Sequence, residues 1–145
     1  MITHPSSDYL TNIDWFKNVL NEDVILCHTS ALECLSLFSG YMNESEIDVY
    51  SKAKGKYDNI NYRVINDFED IQITNISGIL CTSVEQTIND MLSDFDETDE
   101  QALLEALNRY YFLNNCTFKN LIIRKENVAK FNLIKDFAIS YHEEE

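Results

Sequence analysis

The strongest constraint on this chain is a change of hydrophobic period along its length. Residues 46–82 alternate apolar and polar side chains in "EIDVYSK", "NINYRVIND", "DIQITNI" and "GILCTS", whereas the flanking segments repeat apolar residues every three or four positions. A period of two suits a strand with one buried face, and a period near 3.6 suits a helix with one buried stripe. The expected class is therefore α+β: a small, mainly antiparallel sheet over 46–82 flanked by N- and C-terminal helices. Turn formers at Lys54-Gly55, Asn66-Asp67 and Ser77-Gly78 separate the expected strands.

Before the sheet, Leu10, Ile13, Phe16 and Leu20 predict a short amphipathic helix over 8–21, with Ser7 or Asp8 as its cap. "DVILCHTS" then predicts a brief extended segment. Ser30 and Glu33 form an S-x-x-E capping box ahead of a helix that should stop near Gly40. After the sheet, Thr82 with Glu85 and Thr98 with Gln101 predict two more boxed helix starts. Their buried faces are expected to be Val84, Ile88, Met91, Leu92 and Phe95, then Leu103, Leu104, Leu107, Tyr110 and Tyr111. A last helix over 125–141 should bury Val128, Phe131, Ile134, Ala138 and Tyr141, with "HEEE" fraying beyond it.

A length of 145 residues with 45% apolar content is enough for one domain spanning 1–145 that needs no staple. The formal charge of −14 excludes direct nucleic-acid binding, which needs clustered Lys and Arg, and adhesion to an anionic membrane. A charged partner should be a protein with a basic surface. Cys27, Cys34, Cys81 and Cys116 have no paired spacing, "MITHPSSDYL" lacks the features of a signal peptide, and no run reaches the roughly 18 apolar residues of a membrane span. The expectation is a cytoplasmic protein with reduced thiols.

Motifs with a built-in mechanism are missing: there is no phosphate-binding glycine loop, no GxSxG, no HExxH and no EF-hand loop. Cys27 and His28 are adjacent, so in an extended segment they point to opposite sides and cannot share a metal or a catalytic centre. Glu85 and Asp90, five apart on a helix, lie more than about 100° apart around its axis. Neither pair supports an enzyme, a cofactor or a metal site, and no catalytic residue is assigned.

The acidic pattern is more specific. From Val64 to Asn108 the chain has eleven acids (Asp67, Glu69, Asp70, Glu85, Asp90, Asp94, Asp96, Glu97, Asp99, Glu100, Glu105) and no Lys or Arg. The helix dipole favours acids in a first turn and accounts for Asp99 and Glu100. It opposes Asp94 and Asp96, which close the preceding helix. Asp94, Asp96, Glu97, Asp99 and Glu100 are therefore the candidate partner-binding acidic face.

Two clusters, "HTSALECLSLFSGYMNESEIDVY" and "CTSVEQTINDML", give the chain a family resemblance. His28, Ser30-Ala31-Leu32 and Leu35 with the later Ile47-x-Val49 match a His-x-Ser-Ala-Leu helix followed by a strand. Thr82, Glu85, Thr87 and Asp90 follow a T-x-x-E-x-T-x-x-D pattern. Together they resemble the C-terminal antitoxin-type domain of the AbiEi family, the antitoxins of type IV toxin–antitoxin systems, over roughly residues 24–95. Family members carry a winged helix-turn-helix ahead of this unit, for which the residues before Val24 are too few. Their arginine before the motif threonine is Gln86 here. The resemblance implies a non-enzymatic regulator that opposes a nucleotidyltransferase-like toxin, generally without a stable complex.

The function expected from the sequence is accordingly an antitoxin-like regulatory or interaction protein of a bacterial or mobile-element toxin–antitoxin or defence system. The alternative is a small acidic phage- or plasmid-encoded inhibitor, of the anti-CRISPR or anti-restriction type, whose carboxylates mimic a phosphate backbone to block a nucleic-acid enzyme.

Overall fold

The computed structural model describes residues 24–38, 47–55 and 60–141. The expected helix over 8–21 and the fraying at 142–145 lie outside the described residues, whereas the helix expected to stop near Gly40 already ends at Cys34, with Ser36 left-handed at φ 64° just beyond it. Within the described residues the chain runs β1 (Val24–Leu26), α1 (His28–Cys34), β2 (Ile47–Ser51), β3 (Ile60–Val64), β4 (Ile73–Ile76), β5 (Ile79–Thr82), α2 (Val84–Ser93), α3 (Glu100–Leu113) and α4 (Val128–Ile139). Single 3₁₀ turns at Phe95–Glu97 and Lys125–Asn127 precede α3 and α4. The class is α+β, as the change of period requires.

The five strands form one sheet in the order β3-β2-β1-β5-β4. Its character differs from the mainly antiparallel expectation. The β1/β2 and β4/β5 pairs are antiparallel, but β2/β3 and β1/β5 are parallel, so the sheet is mixed. Alternation specifies which face a side chain joins and is the same for either strand direction, so it carries no information on pairing sense. The β4/β5 connection is a two-residue turn in which Ser77 (φ 54°) and Gly78 (φ 92°) are both left-handed. Asn75 Oδ1 accepts a 2.8 Å bond from the Gly78 N–H and stabilises it.

Registered pairing separates the sheet into two unlike faces. On one, Val24, Leu26, Ile47, Val49, Ile60, Ile79 and Cys81 pack with Ala31 and Cys34 of α1 into an apolar core. The opposite face carries Asp48 beside Asn61 and Tyr50 beside Arg63, register partners on β2 and β3. A second core joins α2 (Ile88, Met91, Leu92), α3 (Ala102, Leu103, Ala106, Leu107) and α4 (Phe131, Ile134, Ala138), with Leu32 of α1 at its edge. The short α1 thus contributes to both cores. Of the expected α4 face, Val128 is exposed and Tyr141 only half-buried.

All three predicted capping boxes are displaced. α1 begins at His28 after Cys27, which makes no side-chain cap, so Ser30 lies inside the helix. The cap of α2 is Ser83, whose Oγ accepts from the Gln86 N–H at 3.1 Å, because Thr82 is still paired in β5. The cap of α3 is Asp99, accepting from the Ala102 N–H at 3.1 Å, while Thr98 donates its hydroxyl to the Met91 carbonyl. In the two later starts the neighbouring residue could cap equally well, and only tertiary pairing decided which one did.

Asparagines bind the helical part together. Asn89, fully buried on α2, donates to the Ile122 carbonyl and accepts from the Arg124 N–H at 2.8 Å, and Asn127 donates back to it. Asn108 of α3 donates to the carbonyls of Ala138 and Ile139, closing the C-terminal end of α4. Among the described residues no helix is long and apolar enough to cross a membrane.

Candidate functional site

The polar sheet face, the start of α1 and the link between α2 and α3 meet at a cleft of about 320 Å³. Its walls include His28 and Glu33 of α1, Asp48 of β2, Asn61 and Arg63 of β3, and Glu97 and Asp99 of the link. Strand alternation aims Asp48, Asn61 and Arg63 at one side. The 3₁₀ turn at Phe95–Glu97 interrupts the helical path and places link carboxylates opposite them.

At the centre, His28 Nε2 lies 2.8 Å from Asp94 Oδ2. Arg63 approaches the same carboxylate oxygen at 3.8 Å and Asp48 at 4.0 Å, near enough for attraction but too far for hydrogen bonds. Asn61 donates to Asp48 at 3.2 Å, and Ser30 Oγ accepts from the Asp48 N–H at 2.9 Å, which fixes α1 against β2. His28 is 2% exposed and occupies the left-handed region at φ 50°. Such a backbone costs on the order of 1 kcal/mol or more in a residue with a Cβ. Its Nδ1 and the Nε of Arg63 are buried without a hydrogen-bond partner. Two local costs therefore fall on the residue that faces Asp94.

A second polar group adjoins the first. Tyr50 donates its hydroxyl to Asp90 Oδ2 at 2.8 Å, Gln86 donates to Asp90 Oδ1 at 3.0 Å, and the Arg124 guanidinium lies 3.9 Å from it. The Tyr50 ring meets His28 edge-on, with centroids 5.9 Å apart, and so joins the two groups.

Burial, with Asp48 nearby, pushes the Glu33 carboxyl up to about 7. Burial and then the Asp90 carboxylate hold the Tyr50 phenol well above its ordinary value. Burial likewise raises the Cys27 thiol, with further repulsion from Asp48. These directions limit the chemistry. The Cys27 thiol and the Tyr50 phenol stay protonated, and the Ser30 hydroxyl is committed to the Asp48 N–H. The His28–Asp94 pair has the form of a base and its orienting acid, but no activated nucleophile stands beside it. Among the described residues no three His, Cys, Asp or Glu side chains are placed to hold a metal ion. What the cleft does possess is a surplus of carboxylates, Glu33, Asp48, Asp94, Glu97 and Asp99, around one arginine.

The residues expected from sequence divide sharply. Of the acidic face, Glu97 and Asp99 line the cleft and Asp94 enters it through His28 and Arg63, whereas Asp96 and Glu100 lie exposed outside it. Of the motif residues, His28 is central, while Ser30 and Asp90 act as supports. Thr82 and Thr87 are buried with their hydroxyls 2.6 Å apart. Thr87 donates to the Ser83 carbonyl at 2.6 Å, so its single proton is spent there and Thr82 is the donor between the two. Glu85 is half-buried, with its charge felt at Tyr110 on the far side of α2 from Asp90. Glu33, Asp48, Tyr50, Asn61 and Arg63 escaped sequence reasoning. The available signal was that the polar positions of β2 and β3 hold ionisable side chains, but their meeting depends on the parallel register. No family model matches the chain, and no curated protein matches it.

Proposed function

We propose that this chain is a non-enzymatic, antitoxin-like regulatory protein that acts by receiving a basic projection of a partner protein in the carboxylate cleft. The observation that supports this reading most directly is the gathering of Glu33, Asp48, Glu97 and Asp99 around one opening from three separate segments, with Asp94 beside them through Arg63. Dispersed acids solubilise a surface; acids focused in a concave site make the local potential strongly negative and select cations. The resemblance to the AbiEi antitoxin domain supports the non-enzymatic, antitoxin-like part of this reading, and the cleft alone supports the docking part. At the position where that family has an arginine stands Gln86, and Arg124 supplies a guanidinium near Asp90 from elsewhere in the chain. Operator binding forms no part of the proposal, since a net charge of −14 opposes it.

Co-expression tests this. The native chain should restore growth to cells making a nucleotidyltransferase-like toxin, and the Glu97→Gln, Asp99→Asn double variant, which leaves the His28–Asp94 bond and a competent α3 cap in place, should lose that rescue while keeping the native unfolding midpoint. Rescue by the double variant at the native level excludes docking through the cleft.

A second reading is favoured by the exposure of Asp96, Glu97 and Glu100 along one link. Carboxylates displayed outside a cleft can imitate a phosphate backbone, as a phage- or plasmid-encoded inhibitor of a CRISPR or restriction enzyme would require. Asp96→Asn with Glu100→Gln separates the two: it should abolish mimicry and leave cleft docking intact. Mimicry should also weaken steeply above about 0.1 M salt, where the Debye length falls below about 10 Å.

A further inference from the structure

The carboxyls of the cleft are not equally provided for. Asp94 has His28 and Arg63 beside it, Asp48 has Asn61 and Arg63, Asp99 caps α3, and Glu97 is exposed to water. Glu33 is half-buried, and none of the described residues gives its carboxyl a hydrogen bond or an ion pair. Its place follows from α1. Ser30 Oγ accepts from the Asp48 N–H, and Glu33, three residues on, shares that face of the helix and so lies over the same strand. A second group on the same wall is also left short. His28, 2% exposed, gives its Nε2 proton to Asp94, so the lone pair on Nδ1 of a neutral imidazole has no donor. Both groups lack an N–H, which a cation brings.

The surroundings of Glu33 are acidic. β2 presents Asp48, β3 Arg63, and the α2–α3 link Glu97 and Asp99. Asp90 and Asp94, at the end of α2, are bound by Tyr50 and His28. From α3, Arg109 reaches α1 at the Ser36 carbonyl, but Glu105 holds its charge at 2.8 Å. β1 has no titratable side chain, and β5 has only the Cys81 thiol, which its bond to Cys34 and burial keep protonated. Burial and the Asp48 charge accordingly lift the Glu33 carboxyl from 4.5 to about 7.

We infer that docking at the cleft is coupled to release of a proton from Glu33: an ammonium or guanidinium of the partner settles against Glu33 and Asp48, and the carboxyl proton leaves to solvent. This coupling rests on the cleft receiving a basic projection, as proposed above. The cation attracts the ionised form and draws the carboxyl back toward its ordinary value. A ligand that does so must bind more tightly as pH rises through the free value, and mild acidification releases it.

A capped Arg-Arg dipeptide at low salt is the probe. In the full chain the ¹³C signal of the Glu33 carboxyl should titrate near 7, and saturating peptide should lower that midpoint by at least about one unit. Calorimetry should show binding about tenfold tighter at pH 8 than at pH 6. Glu33→Gln should bind as the native chain does at pH 6 and gain nothing at pH 8, whereas Asp96→Asn, outside the cleft, should keep the native pH dependence. Equal native binding at the two pH values overturns the coupling and leaves the cleft a receiver. So does a free Glu33 midpoint near 4.5, a pH dependence lost in Asp96→Asn, or one that survives Glu33→Gln and so belongs to another group such as His28. A peptide that binds at neither pH while Glu33 still titrates near 7 removes the docking reading itself, and the coupling with it.

Discussion

The sheet side and the helical side of this molecule solve opposite problems. Around β2, β3 and the start of α1, polar side chains are drawn inward and paired, leaving a cleft with more carboxylates than cations. Around α3 and α4 a well-filled apolar core is accompanied by bare Leu113, Leu133 and Phe137 on its outside. Under the proposed function the first region would recognise through charge and geometry, which salt screens. The second can recognise only through apolar area, which salt does not weaken.

The contrast can be tested in stability. Leu103→Ala, which opens a cavity in the fully buried helical core, should cost about 3 kcal/mol, whereas Leu133→Ala on the bare face should change stability by less than about 0.5 kcal/mol. Urea midpoints of the two variants check this, and equal costs would mean that Leu133 is covered within one chain. Asp90→Ala should cost about 2 kcal/mol, because Tyr50 and Gln86 would each lose an acceptor in a buried place. Ser83→Ala should cost about 1 kcal/mol by removing the cap of α2; if Thr82→Ser proves as costly as Ser83→Ala, the assigned cap is wrong.

A further, small effect should depend on pH. The folded Glu33 carboxyl is raised to about 7 from an ordinary value of 4.5. A raised carboxyl contributes its full stability below the unfolded value and loses it as pH climbs through the folded one. Stability should therefore decline from about pH 4.5 to about pH 7 at this site, by under about 1 kcal/mol after solvent screening of a partly exposed group. Glu33→Gln should remove that decline, so the variant gains on the native chain at pH 8 and not at pH 4.5. Parallel urea midpoints at the two pH values would contradict the assignment.

Much of the architecture was legible in the amino-acid order because period reports burial directly. The alternation in "EIDVYSK" and "GILCTS" became β2 and β5, and Ile88, Met91, Leu103 and Leu107 fell on the buried faces their spacing implied. The candidate site was legible in part. His28 was singled out by the family resemblance and the link acids by their charge pattern; of those acids Asp94, Glu97 and Asp99 reach the cleft, and Asp96 and Glu100 do not. Asp48, Asn61 and Arg63 were not singled out, because nothing in either strand says that its neighbour runs parallel.

The linear chain by itself determined the α+β class, the apolar faces of α2 and α3 and the heavy negative charge, all of which follow from local patterning and composition. Tertiary structure alone decided strand direction, the choice of Ser83 and Asp99 as caps, and the union of His28 with Asp94 across 66 residues. The physical reason is that hydrophobic period is a property of neighbours along the backbone. Pairing sense, cap selection and charge convergence are set by contacts between segments, and those exist only once the two cores have closed.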